Sequence, residues 1–291
     1  MTLWSLFRSK DSKESFNSLK PPSPVQVAQL AKPLSLAGKP LQAPEFVETG
    51  WRPGQTFTAD QDPDRIRLLW EAPSFVQKDP VQQRQKTRVE DLISDTPETF
   101  ARVVHGVVDE EDCAELIRCI NVKGFTPALL NIGRGRQRLE MGVRNGHRCI
   151  VDSQELSSWL LEVLRPYLPE TLQGGPLVDF NERCRVLCYT PGQEFSAHYD
   201  ACFERKRGEG RVKGVDCSLV TAQLYLHDVP AANGGGTAFL TEDGKKVTSC
   251  QPGAGSVLLF TQNLLHEGSL VTAGIKYTLR TEAMYRLSWF N

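Results

Sequence analysis

From residue 183 onward, apolar and polar residues alternate with a period of two, in short runs broken by turn-forming residues. Seven such runs, at 183–189, 194–199, 218–226, 237–240, 245–250, 256–260 and 277–286, read as strands. Pro191-Gly192, the Asn233-Gly-Gly-Gly stretch, Asp243-Gly244 and Pro252-Gly253 punctuate them. No helical repeat falls between one strand and the next. A parallel sheet needs a crossover of a dozen or more residues between paired strands, so these strands must pair antiparallel. The pattern predicts a mainly β domain, a sandwich, jelly roll or barrel.

Two helices are expected ahead of these strands, making the class α+β. A strand over 100–108 leads to Asp109 as an N-cap, with Glu110, Glu111 and Asp112 in the first turn where the helix dipole favours acids. The helix over 110–121 places Cys113, Leu116, Ile117 and Ile120 on one face. A second helix opens on a capping box from Asp152 to Glu155, buries Leu156, Trp159, Leu160, Val163 and Leu164, and stops at Pro166.

Residues 1–98 differ in kind. They hold 11 of the 18 prolines but only three of the 23 glycines and none of the eight cysteines. Proline removes donors and biases its neighbours toward extended backbone, so this third reads as a low-order arm. Short apolar clusters at 68–70 and 75–76 are expected to clip part of it onto the domain. The division is therefore an extension over 1–98 and a domain over 99–291, with helical support at 109–166 and a barrel core at about 178–288.

Charge excludes other classes. The 34 Lys and Arg nearly cancel the 35 Asp and Glu, which suits neither a polycation nor an acidic tail, and nothing calls for nucleic acid. No run approaches the roughly 18 apolar residues of a membrane span. The first eight residues lack a secretory pattern; their basic, acid-poor character is faintly that of a transit peptide, against which Asp11 and Glu14 count. With no C-x-x-C pair, the cysteines read as reduced thiols. A cytoplasmic protein is expected, with the nucleus or an organelle as alternatives and secretion excluded.

Among only five histidines, His198 and Asp200 flank Tyr199 at a strand end, where residues two apart share a face. A plain His–Asp hydrogen bond is one reading. His266, late in the strand series, supplies a third ligand for the other: two histidines and a carboxylate on one side of a metal suit Fe(II) that must also bind a co-substrate and O₂. On the final strand Lys276, Thr278, Arg280 and Glu282 share one face. If that face lines a barrel, its cations need an anion, and a dicarboxylate meeting Lys276 or Arg280 would serve. If it is an edge, the charges are simply solvated.

The stretches 189–200 with His198 and Asp200, 221–226, 234–239, 252–260, and 266–277 with His266 and Lys276 resemble, in that order, the 2-oxoglutarate- and Fe(II)-dependent dioxygenases, in their prolyl 4-hydroxylase-like branch. The resemblance covers about residues 100–290. It implies a double-stranded β-helix (jelly roll), Fe(II) as metal, 2-oxoglutarate and O₂ as co-substrates, and ascorbate as a reductant. It further implies His198, Asp200 and His266 as iron ligands, Lys276 as the residue holding the distal carboxylate of 2-oxoglutarate, Tyr225 as a donor to that carboxylate and Tyr189 in the co-substrate wall. Arg280 stands where many members have a neutral residue. Its fork suits a carboxylate better than an ammonium does, so it remains an alternative anchor.

The activity implied is decarboxylation of 2-oxoglutarate to succinate coupled to hydroxylation of a substrate C–H bond, with oxidative demethylation and prolyl 4-hydroxylation as specific forms. A silent jelly roll used for binding is the reading from another class. Two basic stretches, 134–148 and 204–213, fit either a lid drawing in an acidic peptide or small anion, or a pair of solvated loops. His105, His147 and His227 read as hydrogen-bonded residues, and Trp289 and Phe290 as packing for the C-terminus.

Overall fold

A computed structural model describes residues 35–36, 39–40, 43–58, 72–96, 98–207 and 214–287. The 68–70 cluster, Trp289, Phe290 and the first eight residues lie outside them. In chain order the main strands are β1 (Arg88–Thr96), β2 (Thr99–His105), β3 (His147–Asp152), β4 (Gly175–Phe180), β5 (Arg183–Tyr189), β6 (Phe195–His198), β7 (Glu204–Arg207) and β8 (Gly214–Tyr225). They continue with β9 (Thr237–Leu240), β10 (Lys246–Cys250), β11 (Val257–Thr261), β12 (His266–Gly268) and β13 (Lys276–Leu287). Every pairing between them is antiparallel.

A large sheet runs β1-β2-β11-β8-β13-β5-β3, with β4 also on β13 and β7 also on β8. A small sheet runs β6-β12-β9-β10. From β5 onward the chain crosses repeatedly between the two sheets, which is the jelly roll that the strand pattern predicts. Among the described residues three α-helices complete it: α1 (Pro80–Gln85), α2 (Glu110–Asn121) and α3 (Gln154–Leu164).

The period-two strands resolve the two faces of β13. Tyr277, Leu279, Ala283 and Tyr285 are buried with Leu116, Ile117, Leu160 and Leu164 of the helices, forming the main core. Lys276, Thr278, Arg280 and Glu282 point the other way, between the sheets. Lys276 and Glu282 are 4% and 3% exposed, so this face is not solvated. A second core, with Val103, Tyr225, Phe239 and Phe260, fills the gap between the sheets beyond them.

Three expectations need correction. The ordered domain does not begin at residue 99. Strand β1 pairs along β2, and Phe75 is 1% exposed with its ring edge-on to Trp159 at 5.1 Å. Charges on an edge strand mask its alternation, which is why β1 is illegible in sequence. The cap of α3 is Ser153, whose Oγ accepts from the Leu156 amide at 3.3 Å, because Asp152 ends β3 and pairs with Arg183 at 3.2 Å. The basic stretches are not both solvated loops: Arg144 and Arg148 are 7% and 5% exposed, and residues 204–207 form a strand.

Candidate active site

Two strands of the small sheet bring the histidines together. His198 at the end of β6 lies directly opposite His266 at the start of β12. Directly opposed residues place side chains on one face. Two residues on, past the strand end, the chain delivers Asp200. Ligand atoms of His198, Asp200 and His266 lie within 4.8 Å of one another. The carboxylate is 3.8 Å from His198 Nε2 and 3.9 Å from His266 Nε2.

Each histidine is prepared by a backbone carbonyl. His198 Nδ1 donates to Ser196 O at 2.8 Å and His266 Nδ1 to Leu264 O at 3.0 Å. That assigns the proton to Nδ1 and leaves the Nε2 lone pair aimed at the cluster, the arrangement a metal ligand requires. Burial keeps both rings neutral; for His198 it acts with the neighbouring His266 to push the pKa down to about 3. Phe195 stacks on His198 with ring centres 3.5 Å apart and fixes its plane.

Burial opposes ionisation of Asp200, but the Arg280 charge, with a hydrogen bond from Thr221, outweighs it and holds its carboxyl far below the usual range. Arg280 Nη2 stands 2.8 Å from Asp200 Oδ1, and Thr221 Oγ1 donates to Oδ2 at 2.6 Å. Arg280 also lies 3.5 Å from Glu282, itself bound to Arg185 at 2.7 Å. Its guanidinium is therefore engaged by protein carboxylates. Two neutral imidazoles and one oriented carboxylate fit a divalent iron, a borderline ion that accepts nitrogen and oxygen together.

Lys276 lines the same cavity and is differently placed. Among the described residues it has no hydrogen bond and no acidic partner; its ammonium lies 5.7 Å and 5.6 Å from the ring centres of Tyr189 and Tyr225. Burial brings its pKa down to about 8. The titratable group acting on it is the Cys250 thiol, which burial pushes up to about 12 and so keeps neutral. Beside it, Thr278 Oγ1 is buried with no partner. A buried cation and an orphaned hydroxyl facing one cavity fit the carboxylate of a bound acid.

Of the two tyrosines, Tyr189 lines the cavity and Tyr225 lies in the second core behind Gln223 and Thr237. Tyr189 is backed by Gly146, where a Cβ would stand 2.4 Å from its ring. The Tyr225 hydroxyl is 2.6 Å from Thr237 Oγ1 and accepts from Gln223 Nε2 at 3.0 Å. Either hydroxyl of the Tyr225–Thr237 pair can be the donor, so Tyr225 can give its proton to a ligand when Thr237 donates to it.

The other three histidines lie apart. His105 contacts Glu90 at 3.2 Å, His147 packs on Phe46 beside Gln193, and His227 Nδ1 donates to Asp228 O at 2.8 Å. Sequence reasoning missed Thr278 as an orphaned site hydroxyl, although it shares the parity of Lys276. It also left Arg144 among loop charges, because only tertiary packing shows that this side chain turns inward.

Residues 184–281 match the model of the family described as the 2OG-Fe(II) oxygenase superfamily. Similar solved structures include a viral collagen prolyl hydroxylase of Paramecium bursaria Chlorella virus-1 in complex with 2-oxoglutarate, at 22% identity and TM-score 0.43, covering 63% of this chain and 95% of that one. A Pseudomonas putida prolyl-4-hydroxylase aligns at 23% identity and TM-score 0.36, over 50% and 74% of the two chains. A Trichoplax adhaerens prolyl hydroxylase in complex with a peptide fragment of the hypoxia inducible factor oxygen degradation domain aligns at 15% and 0.44, over 70% and 86%. No curated protein matches the sequence.

Proposed function

We propose, from the match of residues 184–281 to the 2OG-Fe(II) oxygenase superfamily, that this chain is such an oxygenase, in which His198, Asp200 and His266 hold the iron while Lys276 holds the distal carboxylate of 2-oxoglutarate. The reaction is R–H + 2-oxoglutarate + O₂ → R–OH + succinate + CO₂, acting on a peptide or a small molecule. Bound iron would supply O₂ activation, with 2-oxoglutarate giving two electrons through its decarboxylation.

The rest is the work of this chain. The three ligands occupy one side and leave the other open to reactants. Arg280 and Thr221 fix the Asp200 carboxylate, so Arg280 is read as a positioning residue rather than the anchor. Tyr189, Leu187 and Phe260 wall the cavity and exclude water. The observation that carries the reading is Lys276, a buried cation without an anionic partner in the cavity that the triad shares. A silent binding scaffold has no use for one, since unpaired buried charge is destabilising.

Anaerobic addition of Fe(II) and 2-oxoglutarate to the full chain should give a weak visible charge-transfer band, absent from Asp200→Ala and His266→Ala. Wild-type succinate release from either purified variant would show the triad to be misassigned.

A further inference from the structure

Three cations line the cavity: Arg144, Lys276 and Arg280. Arg280 belongs to Asp200 and Glu282. Glu267, the other acid in the wall, accepts from the Ser269 hydroxyl at 3.3 Å. If Lys276 takes 2-oxoglutarate, as proposed above, Arg144 is left over.

Arg144 is 7% exposed and reaches inward from the turn before β3. Its guanidinium lies 4.6 Å over the Phe195 ring, the ring that stacks on His198. Its guanidinium donates from Nη1 to Leu129 O at 3.4 Å, a carbonyl better served by Arg148 at 3.1 Å, and has the Tyr189 side chain as a second hydrogen-bond partner. Nε has no partner. Burial acts hardest against its charge, Arg280 repels it, and the carboxylate that favours it is Asp200, which Arg280 already holds. Arg148, by contrast, is fixed by Leu129 O and by Gln137 at 2.6 Å, a structural role. A guanidinium stays charged even when buried and offers five donors in a fork matched to a carboxylate. Here no carboxylate takes that fork, and Nε is left without a partner beside the ligand cluster.

We propose that Arg144 binds a carboxylate of the molecule that is hydroxylated, so that this oxygenase acts on a C–H bond close to an acid group. The inference rests on the function proposed above. It predicts a preference for acids over their uncharged isosteres, since removing the anion leaves the guanidinium buried and unpaired.

The test uses full-length protein with Fe(II) and saturating 2-oxoglutarate, and reads succinate release stimulated by matched probes. N-acetyl-L-amino acids against their carboxamides present a terminal carboxylate; N-acetyl-aspartamide against N-acetyl-asparaginamide presents a side-chain one. In one or both series the acid should be favoured about 10- to 100-fold. Arg144→Gln should bring that ratio close to one and Arg144→Lys should restore part of it, with thermal unfolding of both variants checking the fold. Equal stimulation by acid and amide, an acid preference that survives Arg144→Gln, or no stimulation by any acid would overturn the proposal. So would a loss of 2-oxoglutarate affinity in Arg144→Gln as large as that in Lys276→Met, which would make Arg144 a co-substrate anchor. Failure of the broader reading looks different: no charge-transfer band and no succinate under any condition.

Discussion

Replacing Lys276 by Met should move two measurable quantities in opposite directions. The side chain is buried, and its ammonium loses its proton at about 8 rather than 10.5. That gap corresponds to about 3 kcal/mol at 1.36 kcal/mol per pKa unit. The sign follows from linkage. Below pH 8 the lysine is charged in both the folded and unfolded chain, and the folded state carries the whole cost of burying it. Between about 8 and 10.5 the folded protein releases the proton while the unfolded chain keeps it, and the cost fades. Lys276→Met removes that cost, so the ligand-free variant should melt above wild type at pH 7, by up to about 6–12 °C for a domain of this size. The difference should shrink toward pH 10. For 2-oxoglutarate the effect reverses: loss of one partner of a buried ion pair costs about 3–5 kcal/mol, a hundred- to a few thousand-fold in Kd. Wild-type affinity should itself weaken about tenfold per pH unit above 8, because only the protonated amine binds. Thermal unfolding by circular dichroism, with and without 2-oxoglutarate, reads all of this. A variant that is less stable than wild type at pH 7 and keeps its 2-oxoglutarate affinity would refute the argument.

Thr221→Val removes the donor to Asp200 while keeping its shape, and Mn(II) affinity measured by electron paramagnetic resonance should fall about tenfold or more; an unchanged affinity would show that Arg280 alone suffices. Gly255→Ala should destabilise by about 3 kcal/mol or more in urea unfolding, because the residue has φ +75° and a Cβ would stand 1.8 Å from Val108 O. An unaltered midpoint would contradict that backbone approach. Phe75→Ala should cost about 3–5 kcal/mol, a buried-core loss; a change under about 1 kcal/mol would return residues 72–78 to the arm.

Strands and ligands were legible to different depths. Runs 183–189 and 237–240 coincide with β5 and β9 because short apolar runs bounded by turn residues mark buried strands in the sequence. The triad could be read from spacing plus resemblance. Strand β4, with Pro176 near its start, and the three-residue β12 carry too little pattern to see. In sequence Arg280 stands as an alternative anchor beside Lys276. Only the position of Asp200, brought in by another strand, distinguishes the engaged cation from the unpaired one. The same holds for Arg144: burial is a property of the packed whole, and a run of arginines in sequence looks like a solvated loop.

The position of β13 has one more consequence. It comes after every other described strand in the chain, yet it sits between β8 and β5 and joins the two halves of the large sheet. Without it, β1, β2, β11 and β8 would form one fragment and β5 and β3 another, with no pairing across. The same strand carries Lys276, Thr278 and Arg280. β13 is thus the keystone of both the architecture and the cavity, so a chain lacking it would keep His198, Asp200 and His266 but lose the wall that encloses them.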